Sequence, residues 1–392
     1  MGINELDNVM KDIQKTYKKK NDTIIYDPDR EKIPLSSGSA VIDSQHNGGL
    51  CYLGRITQLM SLESGGKTTL ALQTAILACK NYPDKGVVFF DMEQHMDYTY
   101  LEMLSRKYGF DSVPSNLYIL QPMNAEELED VWLKFMAKNG DKIVLAIIDS
   151  VAATKPKSML EKIHGESSQK SQHAMFWNDF IPKVNNDASK FQLAVLLVNQ
   201  LRAAPSLSNM DKFKTGGQVG LGAGASNFDT DMTPTGGNAL RYYISCSYML
   251  SWSGRVKEQL ENDQTGEIED VEVSNKYTIR NVKNKVARPY SKSKYIIRFG
   301  DGTDDAPIIL ERMKEIGRIT NQGSFLSYHA RNSDLDFRVN GKVKFNEKFM
   351  MPDILADATI QYIDSYKSDF EMPELDDDDN DDMDGLLEEV EV

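Results

Sequence analysis

Apolar residues along the chain alternate between short unbroken runs and stretches that repeat at helical spacing. Runs at Arg55–Met60, Gly86–Asp91, Leu117–Gln121, Ile143–Asp149 and Leu193–Asn199 predict strands. Between them, a period near 3.6 residues predicts helices over Lys67–Lys80, Asp97–Tyr108, Ala125–Lys138 and Gln172–Lys190. The run Ile143-Val-Leu-Ala-Ile-Ile148 has no polar break, which suits a strand covered on both faces. Strands alternating with helices predict an α/β fold built on a mostly parallel, twisted sheet. Three later strands, at Tyr242–Leu250, Lys276–Val282 and Lys294–Phe299, have no long helices between them. They are expected to extend the sheet antiparallel.

The ends of the chain follow other patterns. Ile3, Leu6, Met10, Ile13 and Tyr17 fall near helical spacing, which predicts an amphipathic N-terminal helix, followed by a polar stretch with Pro28 and Pro34. Its apolar face suits either its own core or a neighbouring molecule. Gln200–Gly236 is rich in Gly, Ser, Asn and Asp with little periodicity, and so long a segment inside a domain points to function or disorder. Asp304–Tyr366 mixes a helical pattern with short strands and predicts a small α+β domain. The expected organisation is a helix and linker over 1–32, a core over 33–302, a small domain over 303–366 and a tail over 367–392.

Charge sharpens that picture. The formal net charge is −14, but twelve Asp and Glu lie between Glu371 and Val392 with no Lys or Arg among them. The tail is expected to be disordered. The body is close to neutral, so a local basic path for nucleic acid remains open. Cys51, Cys79 and Cys246 have no metal-ligand spacing, and an odd count argues against a disulfide scaffold, which suits a reducing compartment. No apolar run reaches the length needed to span a bilayer, and the polar segment Met1–Asp22 does not read as a secretory signal.

The strongest chemical signal is Ser61-Leu-Glu-Ser-Gly-Gly66-Lys67-Thr68-Thr69, between a predicted strand and a predicted helix. That context turns backbone N–H groups towards phosphate oxygens. Ser61, Glu63, Ser64, Gly65, Gly66, Lys67, Thr68 and Thr69 form the candidate phosphate loop, with Lys67 as its cation and Thr68 offering a hydroxyl to Mg²⁺. Ser61 stands where such loops carry Gly, whose backbone freedom Ser lacks. Asp149, closing an apolar strand, is the second candidate Mg²⁺ ligand. Glu93, after Phe89-Phe90-Asp91-Met92, reads equally as a carboxylate that orients attacking water or as a solvated strand end.

Several segments in order resemble the RecA family: Ser37–Asp43, Gly48–Ile56, Glu63–Thr69, Asp91–Tyr100, Val198–Arg202, Thr235–Leu240 and Val282–Val286. The resemblance implies ATP with Mg²⁺ as cofactors and Glu93 as catalytic carboxylate. It implies adenine contacts at Asp97 and Tyr100, and γ-phosphate sensing by Gln200. It also implies that Lys283 and Lys285 reach a neighbouring protomer's phosphate, and that Phe299 and Gly300 belong to a segment covering adenine from an adjacent protomer. Two DNA-binding loops are implied. The first, near His164–Gln172, offers Gly165, Ser167 and Lys170; the second offers Arg202, Thr235, Gly236, Gly237 and Asn238. Gly236-Gly237 on its own reads as a turn.

The resemblance implies a RecA-type phosphate-loop ATPase that forms a helical filament on single-stranded DNA and pairs it with homologous duplex DNA. It implies a cytoplasmic protein, in a bacterium or in the host of a phage that encodes it, with loading or single-strand-binding proteins as further partners. Ser61, a poorly matching first loop and the added Gly217–Gly224 stretch depart from the pattern, and beyond Gly302 the resemblance fades. A hexameric RecA-fold helicase and a non-hydrolysing ATP-dependent DNA-binding mediator stay open as alternatives.

Overall fold

The structure is a computed structural model that describes Lys11, Lys15 and residues 32–160, 166–203, 232–261 and 268–367. The predicted apolar face of the N-terminal helix, Gly165, most of the long second loop and the acidic tail lie outside the described residues. The chain falls into two compact units, Met1–Ile308 and Ile309–Val392.

In the first unit, a short antiparallel pair joins β1 (Pro34–Leu35) to β2 (Cys51–Tyr52), with helix α1 (Ala40–Gln45) between them. The α/β alternation then runs β3 (Ile56–Ser61), α2 (Lys67–Asn81), β4 (Gly86–Asp91), α3 (Tyr98–Lys107), β5 (Leu117–Leu120), α4 (Ala125–Asn139) and β6 (Ile143–Asp149). Next come α5 (Lys157–Leu160), α6 (Glu166–Phe191), β7 (Ala194–Ala203), β8 (Met232–Pro234) and α7 (Asn238–Tyr243). Strands β9 (Cys246–Glu261), β10 (Ile268–Asn284), β11 (Lys292–Arg298) and β12 (Gly302–Thr303) complete the unit. The main sheet has the order β12-β11-β10-β9-β3-β7-β6-β4-β5, with β8 beside β7.

The sheet is buried on both sides because its strands alternate apolar residues between two cores. Phe89, Leu145, Ile147, Leu196 and Val198 face one cluster with α2 and α3. Phe90, Ala146, Ile148, Val195 and Leu197 face the other, where Trp132 of α4 and Trp177 of α6 are fully buried. This period-2 division explains the continuous apolar runs. It also fixes register, since a one-residue slip would exchange the two cores.

The later strands depart from the expectation in two ways. β9 runs parallel to β3, so the antiparallel extension begins only with β10. Tyr242 and Tyr243, expected in a strand, end α7, which buries Leu240, and the chain turns extended only at the buried Ile244. β9 and β10 are also longer than their apolar patterns. Their outer halves pair with each other, and Ile268–Glu272 is exposed on both faces. Residues 166–172, expected in a DNA-binding loop, are the first turns of α6. Past Gly165 that stretch contains no Gly or Pro to interrupt a helix.

The second unit contains a three-stranded antiparallel sheet of β13 (Ile319–Gln322), β14 (Phe325–Tyr328) and β15 (Phe337–Asn340). Helix α8 (Ala306–Glu315) carries the division between the units, and α9 (Lys342–Phe349) and α10 (Pro352–Lys367) follow the sheet. Tyr328, Phe337, Phe345 and Phe349 form its aromatic core. The buried Tyr328 hydroxyl donates to Asp357 at 2.6 Å. All three cysteines are buried free thiols. Among the described residues, no helix is long and apolar enough to cross a membrane.

Candidate nucleotide-binding site

Strand register gathers the site residues at one edge. Ser61 of β3 pairs with Gln200 of β7, and Asp91 of β4 pairs with Asp149 of β6. All four lie at or near the carboxyl ends of parallel strands, where open α/β sheets bind ligands. A cleft of about 510 Å³ opens there, within the usual range for small-molecule sites. Its lining includes the loop residues Glu63 to Thr69, with Glu93, Tyr100, Asp149 and Gln200.

The loop between Ser61 and Lys67 is shaped by steric demands. Gly66 has φ 76°, and a Cβ there would lie 2.6 Å from the Ile297 side chain. A Cβ on Gly65 would lie 2.0 Å from the Ser61 hydroxyl. Both positions therefore exclude larger residues. No side chain caps the first turn of α2, which leaves its N-terminal amides available to an anion. Ser61 itself is the last residue of β3, in extended backbone, so glycine's freedom is not needed at that position. Its hydroxyl accepts from the Lys67 ammonium at 2.7 Å and donates to the Leu62 carbonyl.

Charges converge on the cleft. Lys67 Nζ also donates to the Leu62 carbonyl at 2.9 Å. Burial lowers its pKa, and the Asp149, Glu93 and Glu63 carboxylates oppose that shift. Burial raises the Asp149 carboxyl to about 6, against the pull of the Thr68 hydroxyl and Lys67. Thr68 Oγ1 donates to Asp149 Oδ2 at 2.7 Å. A hydroxyl and a carboxylate adjacent to a helix N-terminus are the hard oxygen donors that suit Mg²⁺ beside phosphate. Ser150 Oγ donates to Glu93 Oε1 at 2.6 Å, which holds that carboxylate at the cleft wall.

The remaining predicted residues are distributed as follows. Tyr100 lines the cleft, with its hydroxyl 3.0 Å from that of Thr69. Asp97 caps α3, accepting from the Thr99 and Tyr100 amides, and is not among the lining residues. Phe299 and Gly300 line the cleft of the same chain that supplies Lys67, so no neighbour is needed to bring them there. Lys283 and Lys285 lie outside the cleft. Within this chain their ammonium groups donate to the Arg241 and Tyr242 carbonyls at the end of α7.

The DNA-contact candidates adjoin the cleft through β7. Gln200 Nε2 donates to Glu63 Oε1 at 3.0 Å, and the exposed Arg202 follows two residues later on the same strand. Asn199 Nδ2 donates to the Thr235 carbonyl at 2.8 Å, and the Thr235 hydroxyl donates back to Asn199 Oδ1. Gly236 and Gly237 have φ of 102° and 80° and lead directly into Asn238, the first residue of α7. A Cβ on Gly236 would meet the Leu240 side chain at 2.2 Å, and with φ at 102° backbone and packing together favour glycine there. Ser167 and Lys170 fall within α6, and their side chains are outside the described residues.

Pattern reading of the sequence does not find the opposite wall of the cleft, formed by Asn275, Tyr277, Ile297 and Arg298. Tyr277 donates its hydroxyl to the Ser64 carbonyl at 3.2 Å, supporting the loop from below. These residues reach the cleft through antiparallel pairing of β10 and β11, which carries no local motif. The signal for Ser150 is its place as the polar residue directly after Asp149.

The fold and this cleft define a phosphate-loop nucleotide-binding protein with the loop at the carboxyl edge of a parallel sheet. The model of the RecA N-terminal domain matches residues 4–304. The chain is 30% identical to Protein RecA of Campylobacter fetus subsp. fetus over 357 residues, covering 90% of this chain and 91% of that relative. It is 30% identical to Protein RecA of Campylobacter hominis over 355 residues, covering 90% of each. For Protein RecA of Psychrobacter cryohalolentis the identity is 30% over 295 residues, 75% of this chain and 72% of the relative. The chain belongs to the RecA family.

Proposed function

We propose that the protein is an ATP-dependent homologous recombinase. It assembles as a filament on single-stranded DNA, hydrolyses ATP, and pairs the bound strand with a homologous duplex. The observation that carries this reading is the contact of Gln200 with Glu63. It joins the phosphate loop to β7, the strand that continues to Arg202 and that holds Thr235 through Asn199. A change at the γ-phosphate position can therefore move the segment assigned to DNA. Kinship with proteins named RecA supports the same activity.

In this reading the loop amides and Lys67 bind the phosphates, Tyr100 and Phe299 flank the base, and Asp97 orders the helix that carries Tyr100. Glu93, oriented by Ser150, accepts a proton from the attacking water. Mg²⁺ held by Thr68 and Asp149 would offset negative charge on the phosphates. Lys283 and Lys285, at the end of β10, are assigned to a neighbouring protomer's γ-phosphate, where added cations stabilise charge developing in phosphoryl transfer. Gly165, Ser167, Lys170, Arg202, Thr235, Gly236, Gly237 and Asn238 are assigned to the DNA backbone, contacts that tolerate any sequence. Single-stranded DNA, homologous duplex and further copies of this chain are the partners, with loading or single-strand-binding proteins beside them, in the cytoplasm.

Electron microscopy of the full chain with single-stranded DNA and a slowly hydrolysed ATP analogue tests the assembly. Open helical filaments whose length follows the DNA are expected. Closed rings of fixed size would assign the chain to ring-forming motors instead.

A further inference from the structure

The phosphate loop accounts for one end of the cleft. At the other end, α3 faces the turn that follows β11. Tyr100, Met103 and Lys107 stand at i, i+3 and i+7 and so share one face of α3. Opposite them lies Phe299-Gly300-Asp301-Gly302. Tyr100, Phe299 and Gly300 line the cleft, and Met103 Cε lies 3.8 Å from where a Gly300 Cβ would stand. The Phe299 side chain is left 54% exposed.

The two walls are fixed by different means. Tyr100 is tied to α2 through the Thr69 hydroxyl. The turn carries Gly300 and Gly302 at positive φ, 79° and 78°, and is closed by the Asp301 amide donating to the Arg298 carbonyl and by the pairing of β12 with β11. On the α3 side Leu104 packs close to Gly302, and the hydrogen bonds come from the Lys107 ammonium. Lys107 Nζ donates to the Asp301 carbonyl at 2.8 Å and the Thr303 carbonyl at 2.6 Å, and lies 3.3 Å from Asp301 Oδ2. On the far side, Arg298 is forked onto Glu258 at 2.6 and 2.9 Å, which holds the residue before Phe299. Lys107 is the last residue of α3, where a cation also suits the helix dipole.

We propose that Lys107 is a positioning residue. It clamps the Phe299–Gly302 turn opposite Tyr100 and so sets the width of a slot for the planar base of the nucleotide. Lys107 is not itself among the cleft-lining residues and acts through the turn. The inference rests on the nucleotide reading of the cleft. It assigns base affinity to a pair of walls whose spacing Lys107 sets from the α3 side, while Gln73 of α2 holds the adjoining Thr303, and it separates that affinity from the phosphate-binding loop.

Calorimetric titration of the full-length protein with a slowly hydrolysed ATP analogue and, separately, with inorganic tripolyphosphate, both with Mg²⁺, separates the two ends. Lys107→Met keeps the aliphatic stem and removes the donors. It should bind the ATP analogue about tenfold more weakly, the scale of a lost charged hydrogen bond that orients a contact. Its affinity for tripolyphosphate should match the parent's. Lys107→Arg, which keeps the charge but displaces the donors, should show the same selective loss in milder form and serves if the Met variant does not fold. Equal weakening towards both ligands would mean that Lys107 merely supports the fold, and unchanged affinity for both would also overturn the proposal. Lys67→Ala, measured alongside, should lose both ligands. If it loses neither, the cleft reading has failed independently of Lys107.

Discussion

Lys67→Ala is expected to abolish ATP-dependent assembly on DNA and to reduce ATP turnover by at least about 10²-fold, the scale of removing one preorganised charge donor from a transition state. Lys67 is the only cation in the loop, and its ammonium now rests on the Ser61 hydroxyl and the Leu62 carbonyl. Both are neutral acceptors that a phosphate oxygen can displace. Around the loop the charge comes from the Glu63, Glu93 and Asp149 carboxylates, and the other lining cation, Arg298, is forked onto Glu258. Without Lys67, a polyphosphate would meet three carboxylates beside the loop with no loop cation to offset them. Folding should not suffer, because burial already opposes the charged form of Lys67. The check is steady-state hydrolysis with and without single-stranded DNA, together with the thermal midpoint of the nucleotide-free protein. Parental turnover in this variant would remove the phosphate-loop assignment.

Glu93→Gln should separate binding from chemistry. The Ser150 hydroxyl donates to Glu93 Oε1, and a Gln side chain can still accept that bond. Size and orientation are therefore retained while basicity is lost. Turnover is expected to fall by roughly 10²-fold or more, the usual contribution of a positioned general base. ATP-dependent DNA binding should persist, with longer-lived complexes because the ATP state no longer decays. Nucleotide affinity and single-turnover hydrolysis measured on the same preparation provide the check. Loss of ATP affinity as severe as the loss of turnover would make Glu93 a structural residue.

The alternating part of the fold could be read from the sequence because its strands are buried on both faces. Ile143–Ile148 must be apolar throughout, and such a run admits few alternatives beside helices of clear period. The phosphate loop could be read for a related reason: Gly65, Gly66 and Lys67 are adjacent in sequence, and local geometry dictates each. What escaped depends on contacts distant in sequence. Tyr277 and Ile297 reach the loop through the pairing of β10 with β11, and neither position belongs to a motif. Lys107 meets Asp301 across 194 residues. Tyr242 is aromatic, which favours a strand locally, yet it ends a helix that buries Leu240. Ser61 takes the place of a glycine without strain because its backbone is extended at the end of β3, which no sequence pattern reveals.

Joint-molecule formation measures ATP-dependent pairing by homology most directly. Single-stranded DNA coated with the protein is mixed with a linear duplex of the same sequence or of unrelated sequence, with ATP and Mg²⁺ or without nucleotide. Joint molecules that require both ATP and homology, and that disappear with Lys67→Ala, are the predicted result. Hydrolysis and DNA binding without homologous joints, under conditions where filaments form, would contradict the assignment as a recombinase.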